Sequence, residues 1–224
     1  MHRTAAFFDM DHTIIWENSG LSSVRFARQQ GLISNMHLIK GIFKIALYRL
    51  SLLNIEAWYE KNMSILSGLP TENMEHFSSL WFEAMIRRSI YKEAVDLIHD
   101  HIEKGHRVVI ITNSPPFFVK PVADTLAITD IICTQVEIKD GVFTGRLIKP
   151  LCYGQGKCHY ASIWAERNDI DLGSSYFYTD SYYDLELMEA VGNPIATNPD
   201  RRLIRTASEN NWPVLFFEKQ SAYS

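Results

Sequence analysis

The chain has 224 residues, with 22 lysines and arginines against 26 aspartates and glutamates, and a formal charge of −4. A hydrophobic content of 46% with 21% charged residues is typical of a globular protein and excludes a disordered, collagenous or coiled-coil chain. The pI near 6.1 argues against a nucleic-acid partner held by bulk positive charge. Three cysteines make no disulfide framework, so we expect a cytoplasmic protein.

Neither a secretion signal nor a membrane-spanning helix is predicted. The opening residues, MHRTAAFFDMDHT, contain no apolar run long enough for a signal peptide, and no run of about 18 apolar residues occurs in the sequence. The most apolar stretch, residues 38–53, carries Lys40, Lys44 and Arg49. A basic amphipathic helix can lie on a membrane surface. A helix packed against its neighbours has the same pattern, and we favour the packed helix over membrane contact.

Short β-rich runs alternate with helical segments along much of the chain. Strands are predicted at residues 4–8, 107–111, 131–136, 175–179 and 213–217. Helices are predicted at residues 91–104, 117–126, 156–167, 184–191 and 200–210. This alternation is typical of an α/β fold with a parallel sheet covered on both faces. In such a sheet the functional site lies beyond the carboxyl ends of the strands.

Two segments interrupt the alternation. Residues 16–90 carry no convincing strand, are too long for a loop, and break at Gly68-Leu69-Pro70-Thr71. We interpret them as a helical subdomain inserted into a core formed by residues 1–15 and 91–224. Residues 137–146 place Asp140-Gly141 between apolar residues, which predicts a small β-hairpin.

Two aspartates directly follow the first predicted strand. Asp9 and Asp11 lie two residues apart, so both can approach one centre, and Asp11 can add its backbone carbonyl. An all-oxygen ligand set suits Mg²⁺. One aspartate can attack phosphorus, and the other can protonate the leaving oxygen. The alternative is an acidic turn that caps a helix.

Further polar residues occur at the ends of other strands. Asp180 can be a third metal ligand, and Asp184 can hold a metal-bound water or a nearby lysine, although both also suit a helix N-terminus. Thr112 ends the second strand, where its hydroxyl and the following amides can hold phosphate oxygens. Lys157 opens a helix after a glycine-rich turn and can offset clustered carboxylates, but a lysine there is also common on surfaces.

Taken in order, FFDMDHT, VVIITNS, GQGK and YTDSYYD resemble the four motifs of the haloacid dehalogenase (HAD) superfamily. The hairpin before CYGQGK and the later VGNPIATNPD resemble its phosphoserine phosphatase-like subclass, IB. The resemblance implies a Rossmann-like core with a helical C1 cap after the first strand. It also implies a Mg²⁺-dependent phosphatase that hydrolyses a small phosphorylated metabolite through an aspartyl-phosphate.

The same resemblance implies roles for individual residues. Asp9 would be the nucleophile and Asp11 the acid/base. The metal would be held by Asp9, Asp180 and the Asp11 backbone carbonyl. Asp184 would not contact the metal directly but would support the groups that do. Thr112 and Lys157 would bind the phosphate.

Two features that bear on the substrate differ from phosphoserine phosphatases. Their substrate-binding glutamate is replaced by Asn18, with Glu17 beside it, and their Ser-Gly-Gly motif reads Thr112-Asn113-Ser114. Glu17, Asn18 and Asn113 are therefore candidate substrate-binding residues, and histidinol phosphate joins phosphoserine-like compounds as a candidate substrate. A phosphotransferase, a lipid phosphate phosphatase and a non-catalytic protein that binds a phosphorylated ligand remain alternatives.

Overall fold

The computed structural model describes residues 3–33 and 55–223. Within them, six parallel strands form one sheet: β1 (Ala5–Phe8), β2 (Arg107–Thr112), β3 (Asp130–Cys133), β6 (Tyr176–Thr179), β7 (Asn193–Thr197) and β8 (Val214–Leu215). Their order across the sheet is β3-β2-β1-β6-β7-β8. An antiparallel hairpin, β4 (Val136–Lys139) and β5 (Val142–Leu147), lies outside this sheet. The predicted α/β fold is confirmed.

Eight α-helices lie within the described residues. They are α1 (Ser19–Gln29), α2 (Ile55–Met63), α3 (Thr71–Trp81), α4 (Lys92–Glu103), α5 (Pro116–Thr125), α6 (Gln155–Arg167), α7 (Leu185–Ala190) and α8 (Arg201–Asn210). Successive side chains of a strand point to opposite faces. Accordingly, Phe8 and Ile110 pack with one apolar cluster, whereas Phe7 and Phe177 pack with another. Strand β1 is buried along its whole length because both faces of the sheet are covered.

Two strand predictions need correction, and one strand was missed. The run at 131–136 is not one strand, because β3 ends at Cys133 and Val136 begins the hairpin. The run at 213–217 supplies only the two residues of β8 at the sheet edge. Strand β7 was not predicted, since its residues NPIAT begin with the strand-breaking pair Asn193-Pro194.

Within the described residues, the segment between β1 and α4 contains α1, α2 and α3. Its predicted break at 68–71 pairs with the hairpin: the amide of Gly68 donates to the Phe143 carbonyl at 2.8 Å, and the amide of Phe143 donates to Leu69 at 3.0 Å. The helix predicted at residues 38–53 lies outside the described residues. Within 3–33 and 55–223, no helix is long and apolar enough to cross a membrane.

Candidate active site

Three of the predicted site residues meet because of the order of the strands. Asp9 follows β1, Thr112 is the last residue of β2, and Asp180 follows β6. Strand β1 lies between β2 and β6, so their carboxyl ends are neighbours. All three residues line a cavity of about 850 Å³, together with Asp11, Asn18, Asn113, Lys157 and Asp184.

Lys157 is the cation at the centre of this cluster. Its Nζ lies 3.0 Å from Asp9 Oδ1 and 2.7 Å from Asp184 Oδ2, and all three side chains are buried. The hydroxyl of Thr179 donates to the same Asp184 oxygen at 2.6 Å. Burial disfavours the charged lysine, but the two carboxylates outweigh it and raise the pKa of Lys157. The ammonium therefore stays charged.

A close backbone approach places Lys157 at this position. A Cβ added to Gly156 would lie 1.8 Å from the carbonyl oxygen of Leu151, which no side chain can tolerate. The first turn of α6 therefore packs directly against the preceding loop. Gly154, at φ 54° and ψ −125°, turns the chain into this helix with a backbone conformation that favours glycine.

The cluster carries more negative than positive charge at its centre. Burial, with the charges of Asp9 and Asp184, raises the pKa of Asp180 well above its usual range. Several buried carboxylates near one lysine need a further cation to remain ionised. The donor set, carboxylate oxygens beside a strand end, fits Mg²⁺.

Side chains alone do not complete a metal site in the described residues. No group of three His, Cys, Asp or Glu side chains there is arranged to hold a metal ion. The carboxylates of Asp9 and Asp180 would therefore need the Asp11 backbone carbonyl as the third protein ligand. This is the set that the family resemblance implies.

Asp11 is held by the start of helix α1. Its Oδ2 accepts hydrogen bonds from Asn18 Nδ2 at 3.1 Å, from the Ser19 amide at 3.0 Å and from the Ser19 hydroxyl at 2.9 Å. Its Oδ1 is buried and has no hydrogen-bond partner among the described residues. Burial, followed by the Asp9 charge, raises the pKa of Asp11 to about 7. One oxygen is thus fixed and the other is available to a reacting group.

Of the three predicted substrate-binding residues, two line the cavity and one does not. Asn18 lines the cavity and also caps α1, because its Oδ1 accepts from the Leu21 amide at 2.9 Å. Glu17 is not among the residues that line the cavity, and its carboxylate lies 3.7 Å from the Arg25 guanidinium. Asn113 lines the cavity, while its side-chain oxygen accepts from the Thr134 hydroxyl at 2.9 Å.

Trp16 and Ser19 also line the cavity; they flank Glu17 and Asn18, so the sequence already indicated them as candidates for substrate contact. Ser19 and Ser114 connect the segments that follow β1 and β2, with their hydroxyls 2.7 Å apart. Ser114 was not predicted as a site residue, although it directly follows Thr112-Asn113 in the sequence. Aromatic and basic side chains that were not predicted also line the cavity, at Tyr59, Tyr91, Tyr153, Tyr183, Arg201, Arg202 and Lys219. Nothing in the local sequence distinguishes them from ordinary surface or core residues.

The fold and the strand-end cluster are those of a haloacid dehalogenase-like hydrolase. The model of that family matches residues 6–189, and the chain belongs to the family. The predicted family and the prediction of a hydrolytic enzyme are confirmed.

Similar proteins carry phosphatase names. A phosphoserine phosphatase of Mycobacterium tuberculosis is 30% identical over 223 residues, covering 95% of this chain and 70% of the relative. A histidinol-phosphatase of Neisseria meningitidis is 30% identical over 221 residues, covering 96% of this chain and 100% of the relative. The crystal structure of a protein of unknown function from Bordetella pertussis Tohama I has a TM-score of 0.86 and 27% identity, covering 96% of this chain and 99% of that one.

Proposed function

We propose that the protein is a Mg²⁺-dependent phosphatase that hydrolyses a small phosphomonoester through a phosphoryl group carried on Asp9. The observation that supports this most strongly is the relation of Asp9 to Lys157 and Asp11. Lys157 contacts one Asp9 oxygen at 3.0 Å, which leaves the other oxygen for attack on phosphorus. Asp11, on the same loop, presents a buried oxygen without a partner among the described residues.

The chain's own residues account for both halves of the reaction. The Asp9 carboxylate attacks phosphorus, and Asp11 gives a proton to the leaving oxygen through Oδ1. Asp11 then takes a proton from the water that attacks the aspartyl-phosphate, which regenerates Asp9. Lys157 and the Thr112 hydroxyl hold phosphoryl oxygens, and Asp184 keeps Lys157 oriented at 2.7 Å.

Asp9, Asp180 and the Asp11 carbonyl would hold Mg²⁺. When bound, the ion would neutralise charge that develops on the phosphoryl oxygens. We expect activity to require Mg²⁺ and to be lost in EDTA. Ca²⁺ should not restore it, because its larger and looser coordination would misplace Asp9 relative to phosphorus. Full activity in EDTA would contradict the metal assignment.

The direct test is phosphate release from a panel of phosphorylated metabolites by the purified protein with Mg²⁺. Histidinol phosphate and phosphoserine come first in the panel, because a histidinol-phosphatase and a phosphoserine phosphatase are each 30% identical to this chain. Release from at least one small phosphomonoester is the expected result. Binding of these compounds without phosphate release from any of them would favour a non-catalytic protein.

Glu17 is proposed as the residue that recognises an amine on the substrate. Its carboxylate would have to exchange Arg25, 3.7 Å away, for the amine, and both side chains are partly exposed. We expect Glu17→Gln to reduce kcat/KM for histidinol phosphate by about 10-fold, and to leave a neutral aryl phosphate unchanged. Equal losses on the two substrates would contradict amine recognition by Glu17.

A further inference from the structure

Tyr59 reaches the phosphate-binding loop from helix α2. Its hydroxyl donates a hydrogen bond of 2.9 Å to the backbone carbonyl of Asn113, and the residue lines the same cavity as Asp9. Burial, followed by the Asp11 charge, raises the pKa of Tyr59. The hydroxyl therefore keeps its proton and acts as a donor.

The Asn113 carbonyl shares a rigid peptide plane with the Ser114 amide. That amide donates to Thr112 Oγ1 at 3.3 Å. Both ends of this one peptide unit are thus engaged, the oxygen by Tyr59 and the N–H by Thr112. Rotation of the peptide would break both hydrogen bonds together.

The orientation of the Thr112 hydroxyl follows from this arrangement. Because Oγ1 accepts from the Ser114 amide, its own proton is directed elsewhere, and Thr112 lines the cavity. Hydrogen bonds in such a chain polarise one another. These hydrogen bonds run in one direction: the Tyr59 hydroxyl donates to the 113–114 peptide, and the peptide donates to Thr112. The Thr112 hydroxyl would in turn donate to a phosphate oxygen.

Further contacts are made by the residues at both ends of the hydrogen bond between Tyr59 and Asn113. The Asn113 side chain accepts from the Thr134 hydroxyl at 2.9 Å, and Thr134 in turn accepts from the Cys152 amide at 3.0 Å. On the helix side, Glu60, next to Tyr59, forms an ion pair with Lys149 at 2.8 Å. Tyr59 therefore reaches Asn113 from a helix whose next residue, Glu60, also pairs with a residue outside the helix.

We propose that Tyr59 is a positioning residue that orients Thr112 for phosphate binding through the peptide between Asn113 and Ser114. This rests on the proposed function only in taking Thr112 as a phosphate ligand. Its effect should be independent of the leaving group, because the phosphoryl group is common to all substrates. It should also be visible in the binding of inorganic phosphate, which needs no turnover.

The test measures binding of inorganic phosphate to the full chain by calorimetry, with Mg²⁺ present. Tyr59→Phe should weaken binding by about 5-fold, the effect of losing one hydrogen bond. Tyr160→Phe is the matched control, because the Tyr160 hydroxyl also donates to a backbone carbonyl, that of Pro150 at 2.7 Å, but does not line the cavity. That variant should bind phosphate as the wild type does.

A double-mutant cycle with Thr112→Val separates positioning from a merely structural role. If Tyr59 acts through Thr112, Tyr59→Phe should change phosphate affinity by less than about 2-fold in the Thr112→Val background. An equal loss in both backgrounds, or no loss in the single variant, would overturn the proposal. A protein that binds phosphate but hydrolyses no ester would contradict the proposed function while leaving this test intact.

Discussion

Lys157 and His101 are both buried, and they contact opposite faces of the same strand. Lys157 Nζ lies 5.8 Å from the ring centroid of Phe177, whereas His101 Nε2 lies 2.9 Å from the hydroxyl of the next residue, Tyr178. The first belongs to a cluster of charged groups. The second belongs to a network of neutral rings, because His101 Nδ1 also lies 2.8 Å from His106 Nδ1, where one ring donates and the other accepts.

The two clusters show different ways to bury polar atoms. Burial lowers the pKa of His101 to about 4, and the neighbouring His106 adds to the effect, so the ring is neutral when folded. On the other face, Lys157 keeps its charge because it lies between the carboxylates of Asp9 and Asp184, which raise its pKa. A neutral network satisfies hydrogen bonds at little electrostatic cost. A buried charged cluster is costly, and we attribute its presence to chemistry rather than to stability.

The largest effect is expected for the reacting carboxylate of the charged cluster. Asp9→Asn should reduce kcat/KM by about four orders of magnitude or more, because the amide cannot attack phosphorus. The amide is nearly isosteric, so the urea midpoint of unfolding should change little. Activity assays and urea denaturation of the same preparation measure both quantities. Retention of most of the activity would contradict the covalent mechanism.

The stability of the charged cluster depends on its lysine. Lys157→Met should lower the free energy of unfolding by about 3–5 kcal/mol, since Asp184 and Asp9 would lose their counter-charge while buried. Lys120→Met is the matched control: Lys120 pairs with Asp124 at 2.9 Å, but both side chains are more than half exposed. That surface pair should contribute little. Similar losses for the two variants would mean that the cluster is not effectively buried.

The neutral network should be sensitive to acid. Between about pH 6.5 and pH 4, the unfolded chain protonates His101 but the folded chain does not, so stability falls as the pH falls through this window. From pH 7 to pH 5 the loss should be about 2 kcal/mol. His101→Gln should remove most of this dependence. His99→Gln, on the exposed side of the same helix, should keep it, and parallel pH profiles for all three proteins would refute the assignment.

The sequence predicted the site best where a polar residue stands at the end of a β-rich run. Asp9, Thr112 and Asp180 each follow or end a β-rich run, so their convergence followed from the parallel sheet. Strand β7 was missed because it contains Asn193 and Pro194, and its pairing with β6 outweighs their poor strand propensity.

Contacts between distant segments could not be predicted from one sequence. The Tyr59 hydroxyl meets the Asn113 carbonyl across 54 positions, and Ser19 meets Ser114 across 95. Neither pair has a periodicity or spacing that indicates it. The pairing of Gly68 and Leu69 with Phe143 is of the same kind, because a backbone hydrogen bond leaves no mark on side-chain choice.

Detection of a phosphoryl group on Asp9 tests the central claim most directly. Asp11→Asn should slow hydrolysis of the intermediate, while an aryl phosphate, whose leaving group needs no acid, still phosphorylates the enzyme. After an acid quench and proteolysis, mass spectrometry should find one added phosphoryl group on the peptide that contains Asp9. The modification should be absent when Asp9→Asn is added. Hydrolysis of the aryl phosphate with no phosphoryl group on that peptide would contradict the account.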